Sequence, residues 1–320
     1  MKKKQLIIFL AGGLGNQLFQ LSAARSISGG RDIVGEIGFS GDRNPNSSNP
    51  AIADLVLAKD IQLRRSQKLR LITQKIFDML ISVSTKTHGL RSRRSVRIAL
   101  QFFGTIYFSC YYKKIVHVSV SRGIGFYEIP KIPGNQLIIG YFQSYRYSGK
   151  MLYSDNNFGI YPVKLGGDFQ SLKAQTISEK PIMVHIRLGD YLTEPKFGIP
   201  SIEYYKIAID KLSNLMKRSP IWIFTDDIEQ GKKLFAEYLP RNINWINDVD
   251  DSIGSTLALF RFGAGYVIAN SSFSWWAAWS RHDKSAKVIY PKPWFVGLDT
   301  PLDLTPPDWE SLPGHVKSAK

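Results

Sequence analysis

The sequence predicts an α/β protein with mainly parallel sheets, divided between two domains. Three observations predict it. From residue 181 onward, short apolar runs alternate with helical-period segments, the pattern of a parallel sheet covered by helices on both faces. The first apolar run, QLIIFL, passes through a glycine turn into another helical segment. A chain of 320 residues, 44% of them apolar, suffices for two cores of about 150 residues each rather than one.

The elements follow in order. QLIIFL is a strand, Gly12–Gly13–Leu14–Gly15 a tight turn, and NQLFQLSAARSIS a helix with Leu18 and Leu21 facing inward. DIVGEIGF is the next strand and GDRNPNSSNP a polar loop. A basic helical insert occupies about 55–100, with Leu69, Ile72, Ile76, Leu80 and Val83 at helical spacing. A Tyr- and Phe-rich stretch to about 120 has no clear period, and QLIIGYFQSYRY reads as a strand leading into a helix or turn. Gly166 and Gly167 mark the domain boundary, which makes 1–166 the first domain and 167–320 the second. Strands PIMVHIRL, PIWIFTDD, INWIND and GYVIAN then alternate with helices IEYYKIAIDKLSNLMKR, IEQGKKLFAEYL, STLALFRF and SFSWWAAWS, and VIYPKPWF gives a last short strand.

Composition narrows the function. Cys110 is the only cysteine, so no intrachain disulfide can form, and a reducing, cytoplasmic setting is expected. The basic start and short apolar run resemble a signal peptide, but the run ends in Gly, Asn and Gln and reads as a first strand. No stretch reaches the roughly 18 apolar residues of a spanning helix. The 42 Lys and Arg exceed the 26 Asp and Glu, for a net charge of +16, and Lys59 to Arg97 supplies more than half of the excess. Such a stretch can rest peripherally on an anionic membrane, grip nucleic acid, or form a solvated face over an ordinary core. Nucleic acid is disfavoured, because no recognisable binding module accompanies the charge.

Three strands end in polar residues, and in a doubly wound sheet those ends share one rim. HIRLGD supplies His185, Arg187 and Asp190; IFTDD supplies Asp226 and Asp227; VIANSSFS supplies Asn270, Ser271, Ser272, Phe273 and Ser274. Free amides at the start of a capped helix bind anions, and an Arg fork across the rim can clamp the same phosphate. Pure capping by the serines, and an Arg187–Asp190 ion pair closing a turn, are the plainer alternatives. Asp226 and Asp227 suit ribose hydroxyls or a guanine edge, or equally a helix start. Asp248 and Asp250 have the D-x-D spacing that can hold a divalent ion on a diphosphate; a basic clamp makes a metal unnecessary, and none is expected. Gly13 and Gly15, with Glu36 about twenty residues on, match a dinucleotide fingerprint in part, but Leu18 replaces its third glycine. A glycine turn still admits a ligand closely, with Asn16 and Gln17 facing it. Trp275, Trp276 and Trp279 have the spacing of a helix packed on a core, with sugar stacking as the alternative.

GGLGNQLFQ (12–20), GYFQSYRY (140–147), HIRLGDY (185–191), FTDDIE (224–229), ANSSFSWWAAW (269–279) and PKPWF (291–295) together resemble, in order, the blocks of the inverting α-1,2-fucosyltransferases, glycosyltransferase family eleven. The resemblance implies a GT-B-like fold of two Rossmann-type domains facing a cleft. It also implies GDP-β-L-fucose as donor, held mainly by the C-terminal domain, and a galactoside oligosaccharide acceptor, lipid-linked or free. The product would be an α-L-fucoside in surface polysaccharide such as O-antigen or capsule, made beside the inner face of the cell membrane without metal or other cofactor. On this reading Arg187, His185 and Asp190 are catalytic, and Gly13, Gly15, Asn16, Gln17, Asp226, Asp227 and Asn270 to Ser274 bind the donor. Within the family's His-x-Arg-Arg-x-Asp pattern, Leu188 replaces the second Arg, and strand alternation turns it into the apolar layer. The rival readings are a transferase using another nucleotide sugar, a nicotinamide-dependent oxidoreductase, and a non-catalytic basic protein on membrane or nucleic acid.

Overall fold

The computed structural model describes residues 3–37, 51–65, 71–85, 94–149, 159–236, 238 and 242–315. The polar loop expected at 41–50, and Lys68, Leu69, Arg70, Lys86, Arg91 and Arg93 of the basic stretch, lie outside these residues. The chain forms two compact units: Met1–Gly159 with Pro301–Thr305, and Ile160–Thr300 with Pro306–Lys320.

Among the described residues, the first unit holds a parallel sheet of β1 (Gln5–Leu10), β2 (Asp32–Ile37), β3 (Gln62–Arg65), β4 (Val116–Val120) and β5 (Asn135–Ile139). Their order is β3-β2-β1-β5-β4. Helix α1 (Leu14–Ile27) follows β1; α2 (Leu71–Thr85) and α3 (Arg94–Tyr112) lie between β3 and β4; the one-turn α4 (Tyr145–Ser148) follows β5. The core joins Phe9, Val34, Leu137 and Ile139 of the sheet to Phe77 of α2 and Phe108 of α3. Phe9 and Phe77 stack with ring centroids 4.0 Å apart.

The basic insert differs from expectation. It begins with a 3-10 helix, Val56–Asp60, and then strand β3, paired in parallel with β2. Leu80 and Val83 of α2 are buried as their spacing predicts, but Ile72 is exposed. Arg97 is not on a solvated face either: its guanidinium is buried and donates to the carbonyls of Val83, Val120 and Ser121. The aromatic stretch without a clear period is the end of α3 followed by β4. Here Gln101, Thr105 and Ser109 look polar in sequence yet face the sheet, which hides the helical repeat.

The second unit's described strands are β6 (Ile182–Ile186), β7 (Ile221–Thr225), β8 (Ile243–Ile246), β9 (Gly265–Val267), β10 (Lys287–Lys292) and β11 (Glu310–Pro313). All pair in parallel, in the order β11-β10-β9-β6-β7-β8. Read from β8, this is the doubly wound order 3-2-1-4-5-6, which reverses between β6 and β9. The helices are α5 (Gly167–Glu179), α6 (Ile202–Leu215), α7 (Ile228–Leu234), α8 (Ile253–Phe260) and α9 (Ser272–Trp279). Tyr205, Ala208, Ile209 and Leu212 of α6 pack on Ile182, Val184 and Ile223, and Leu188 is buried in the same cluster. Trp275 and Trp276 are fully buried, so these indoles pack the core.

Candidate active site

Strands β6 and β9 are neighbours, and the sheet order reverses between them, so their carboxyl ends open the crevice where doubly wound sheets bind ligands. Both ends carry predicted site residues. β6 is buried along its whole length, and the first side chain to leave it is Arg187. Its Nε and Nη2 donate to Asp190 Oδ1 at 3.2 and 2.9 Å, and its Nη1 lies 2.7 Å from Asp226 Oδ2. Asp226, at the end of β7, also accepts the Leu188 amide at 3.0 Å and so fixes the backbone from which Arg187 projects. The two carboxylates are unequal, since the Asp190 side chain is 47% exposed and that of Asp226 only 20%. Asp226 is the fixed seat of the guanidinium, and Asp190 is the side from which an incoming anion can replace a carboxylate.

The neighbouring acid does something else. Asp227 is the N-cap of α7, accepting the Gln230 amide at 3.0 Å. Of the two readings open for the acidic pair, Asp227 takes the helix start, whereas Asp226 meets Arg187, a partner that neither reading named.

At the end of β9, Ser271 caps α9 by accepting the Phe273 amide, and the Ser274 hydroxyl donates to the carbonyls of Ala269 and Ser271. Ser272 and Phe273 begin the helix, whose first-turn amides lack intrahelical partners. Asn270 is fully buried; its Nδ2 holds the carbonyls of Phe197 and Gly198, both at 2.9 Å. Tyr191, just beyond Asp190, completes the connection: its hydroxyl donates to the Asn270 carbonyl at 2.9 Å, and the Arg187 guanidinium lies 5.8 Å from its ring centre. The β6 exit and the α9 start are thereby fastened to each other. The sequence held this link inside HIRLGDY, but an isolated Tyr carries no signal of its partner.

His185 is buried, its ring tilted on Phe273 at 5.3 Å and edge-on to Phe260 at 6.2 Å. Among the described residues its Nδ1 makes no hydrogen bond. Burial lowers its pKa to about 4, against an opposing pull from Asp226, so the ring is neutral at physiological pH. Behind it the Tyr205 hydroxyl donates to the His185 carbonyl.

In the first unit the order reverses between β1 and β5. Gly13 is the N-cap of α1, and a Cβ placed on it would meet nothing within 4 Å. Gly15 is buried within α1. Asn16 Oδ1 accepts from Gln143 Nε2 at 2.8 Å, and the Gln20 amide reaches Gly140, so the 12–20 and 140–147 blocks meet. The Gln17 amide is buried, donating to Gly12 and accepting from Ile52. Glu36, the acid of the partial dinucleotide match, is buried and accepts from the Tyr112 hydroxyl at 3.1 Å. Burial raises its pKa, and it is not presented to a ribose. Asp250 of the D-x-D pair caps α5, its two carboxylate oxygens accepting the Gly166 and Phe169 amides.

The chain is similar in sequence to known glycosyltransferases. The chain is 28% identical over 295 residues to an alpha-1,2-colitosyltransferase of Escherichia coli, covering 89% of this chain and 91% of that protein. It is 32% identical over 135 residues to the O-antigen biosynthesis glycosyltransferase WbnK of Escherichia coli, 40% of this chain and 43% of that one. The fucosyltransferase NodZ from Bradyrhizobium superposes with a TM-score of 0.49 and 14% identity, over 94% of this chain and 100% of NodZ. Residues 140–294, which supply Arg187, Asp226 and the start of α9, match the model of Glycosyl transferase family 11.

Proposed function

We propose that the protein transfers L-fucose from GDP-β-L-fucose, with inversion, to the 2-hydroxyl of a terminal β-galactoside. The observation that carries this reading is the guanidinium of Arg187 at the switch point, tied through Tyr191 and Asn270 to the first turn of α9. In the reaction the acceptor hydroxyl gives its proton to solvent water while its oxygen bonds to the anomeric carbon and the bond from that carbon to the β-phosphate oxygen breaks. The bonding pair leaves on GDP. Charge therefore grows on the phosphate, where a planar cation and helix amides stabilise the transition state more than the bound donor. Arg187 with Asp190 and Asp226 carries formal charge −1, so the diphosphate displaces the exposed Asp190 arm while Asp226 keeps the fork in place. His185 acts through Phe273 by positioning the α9 turn. Since the D-x-D carboxylate of Asp250 is committed to α5, the reading includes no metal.

A second donor is favoured by a specific observation: the relative matched over most of its length is named for colitosyl transfer. The α-1,2 linkage is common to both readings; the sugar differs. Incubation with the fucosyl and colitosyl GDP donors, a set of donors of other nucleotides and a galactoside panel, with and without EDTA, distinguishes them by nucleotide release and product linkage. Transfer of fucose unaffected by EDTA supports the first reading. Exclusive use of the colitosyl donor establishes the second, and transfer only from a donor of another nucleotide overturns both.

A further inference from the structure

Helix α3 covers the edge of the first sheet in one fixed orientation. β4 is the edge strand, and its Val116, Val118 and Val120 amides donate to Ser109 Oγ, Thr105 Oγ1 and Gln101 Oε1 at 2.9–3.0 Å. These three side chains sit at i, i+4 and i+8 on one helix face, and the buried Arg97 and Phe108 pin the same side. The helix cannot roll without stripping β4 of these partners. Its outer face is consequently fixed, and it is apolar: Ile98 is 55% exposed, Phe102 63%, Phe103 66% and Ile106 49%. An outward helical face is normally polar, and a contiguous apolar stripe marks an interaction surface.

Charge identifies what the stripe meets. From Met79 to Tyr127 the sequence contains no Asp or Glu and eight Lys or Arg. Arg94 and Lys113, at the two ends of the stripe, are exposed, as is Lys75 of α2. A second copy of the chain would bring cation against cation on this face, whereas an anionic lipid surface satisfies both the charge and the aromatic stripe. We propose that α3 is an interfacial anchor lying along an anionic bilayer surface, with Ile98, Phe102, Phe103 and Ile106 entering the headgroup–acyl boundary. The sequence points to a membrane through its basic residues; the structure assigns the insertion to an aromatic stripe that they flank. This inference is independent of the donor, and its failure leaves the proposed reaction untouched.

Flotation of the full chain with phosphatidylglycerol-containing and pure phosphatidylcholine vesicles, at low and physiological salt, tests it. Binding is expected on the anionic vesicles alone and weaker at higher salt. Phe102→Ser with Phe103→Ser lowers the partition coefficient by about tenfold or more, with little change in melting temperature because both residues are mostly exposed. An environment-sensitive dye on Cys110, the exposed sole cysteine one turn beyond Ile106, shifts to the blue on anionic vesicles. Absence of flotation at low salt overturns the proposal. Equal binding by the double variant overturns insertion by this stripe. A concentration-dependent dimer that the double variant abolishes assigns the face to a second copy and overturns it as well.

Discussion

Arg187 directs its fork into two carboxylates of unequal exposure, and this asymmetry makes its role testable. Arg187→Ala should lower kcat by about 10²–10³-fold, the scale of losing one charge-stabilising group in the transition state. Arg187→Lys should recover only part of that, since an ammonium cannot reproduce the planar contacts to Asp226 and a phosphate. An alanine variant with wild-type turnover would remove the clamp from the mechanism. His185 leads to a prediction about pH. Its folded-state pKa of about 4 lies below the ordinary 6.5, so between those values the unfolded chain binds a proton that the folded chain refuses. Stability is therefore full above pH 6.5 and falls as pH drops toward 4, by on the order of 3 kcal/mol at roughly 1.4 kcal/mol per unit. Urea denaturation at pH 7 and pH 4.5 should show this loss, and His185→Gln should flatten it. An unchanged slope in the variant would assign the acid sensitivity elsewhere.

Helix α9 and helix α5 use side-chain caps for different ends. Ser271 caps α9 within the crevice, so Ser271→Ala should cost about 1 kcal/mol of stability and also raise the donor KM, because the first-turn amides lose their fixed orientation. Asp250 caps α5 at Gly166 and Phe169, so Asp250→Ala should cost a similar amount with KM unchanged and no new response to manganese. Melting temperatures paired with steady-state kinetics separate the two outcomes; a large loss of kcat in Asp250→Ala would revive the D-x-D as a metal site. These elements also show what the sequence makes legible. The strand ends HIR, TDD and NSS could be placed on one rim because alternation and helix starts are local patterns. Whether Asp226 or Asp227 met Arg187 was not legible, since both acids follow β7 directly and only the three-dimensional register of β6 on β7 decides it. Arg97 and Glu36 were misleading for a related reason: charge predicts exposure, and a buried charge depends on partners such as Val120 and Tyr112 that lie far off in sequence.

At the scale of the whole molecule, the least legible feature is the return of Pro301–Thr305 to the first unit before the chain resumes the second. TPLDLTP has neither strand nor helix period, and its partners are some 160 residues away. The Asp303 carbonyl accepts from the Tyr145 amide and the Ser144 hydroxyl, the Asp303 carboxylate pairs with Arg146 at 3.2 Å, and the Phe126 amide donates to Leu302. Gly125 makes this seat possible, because a Cβ there would stand 2.2 Å from the Leu302 nitrogen and 2.6 Å from its oxygen. Both are backbone atoms, so no rotamer relieves the clash. Gly125→Ala should cost about 2 kcal/mol or more and speed amide exchange in 301–305 and 144–147 together. Gly13→Ala is the matched control: its Cβ meets nothing and its backbone is extended, so stability should change by no more than the ~1 kcal/mol of an N-cap exchange. If the glycine turn closes on the donor, the same methyl should nevertheless raise the donor KM several-fold. A larger loss of stability in Gly13→Ala would show a packing role there, an unchanged KM would place the turn away from the ligand, and a stable Gly125→Ala would detach the 301–305 segment from the account of the fold.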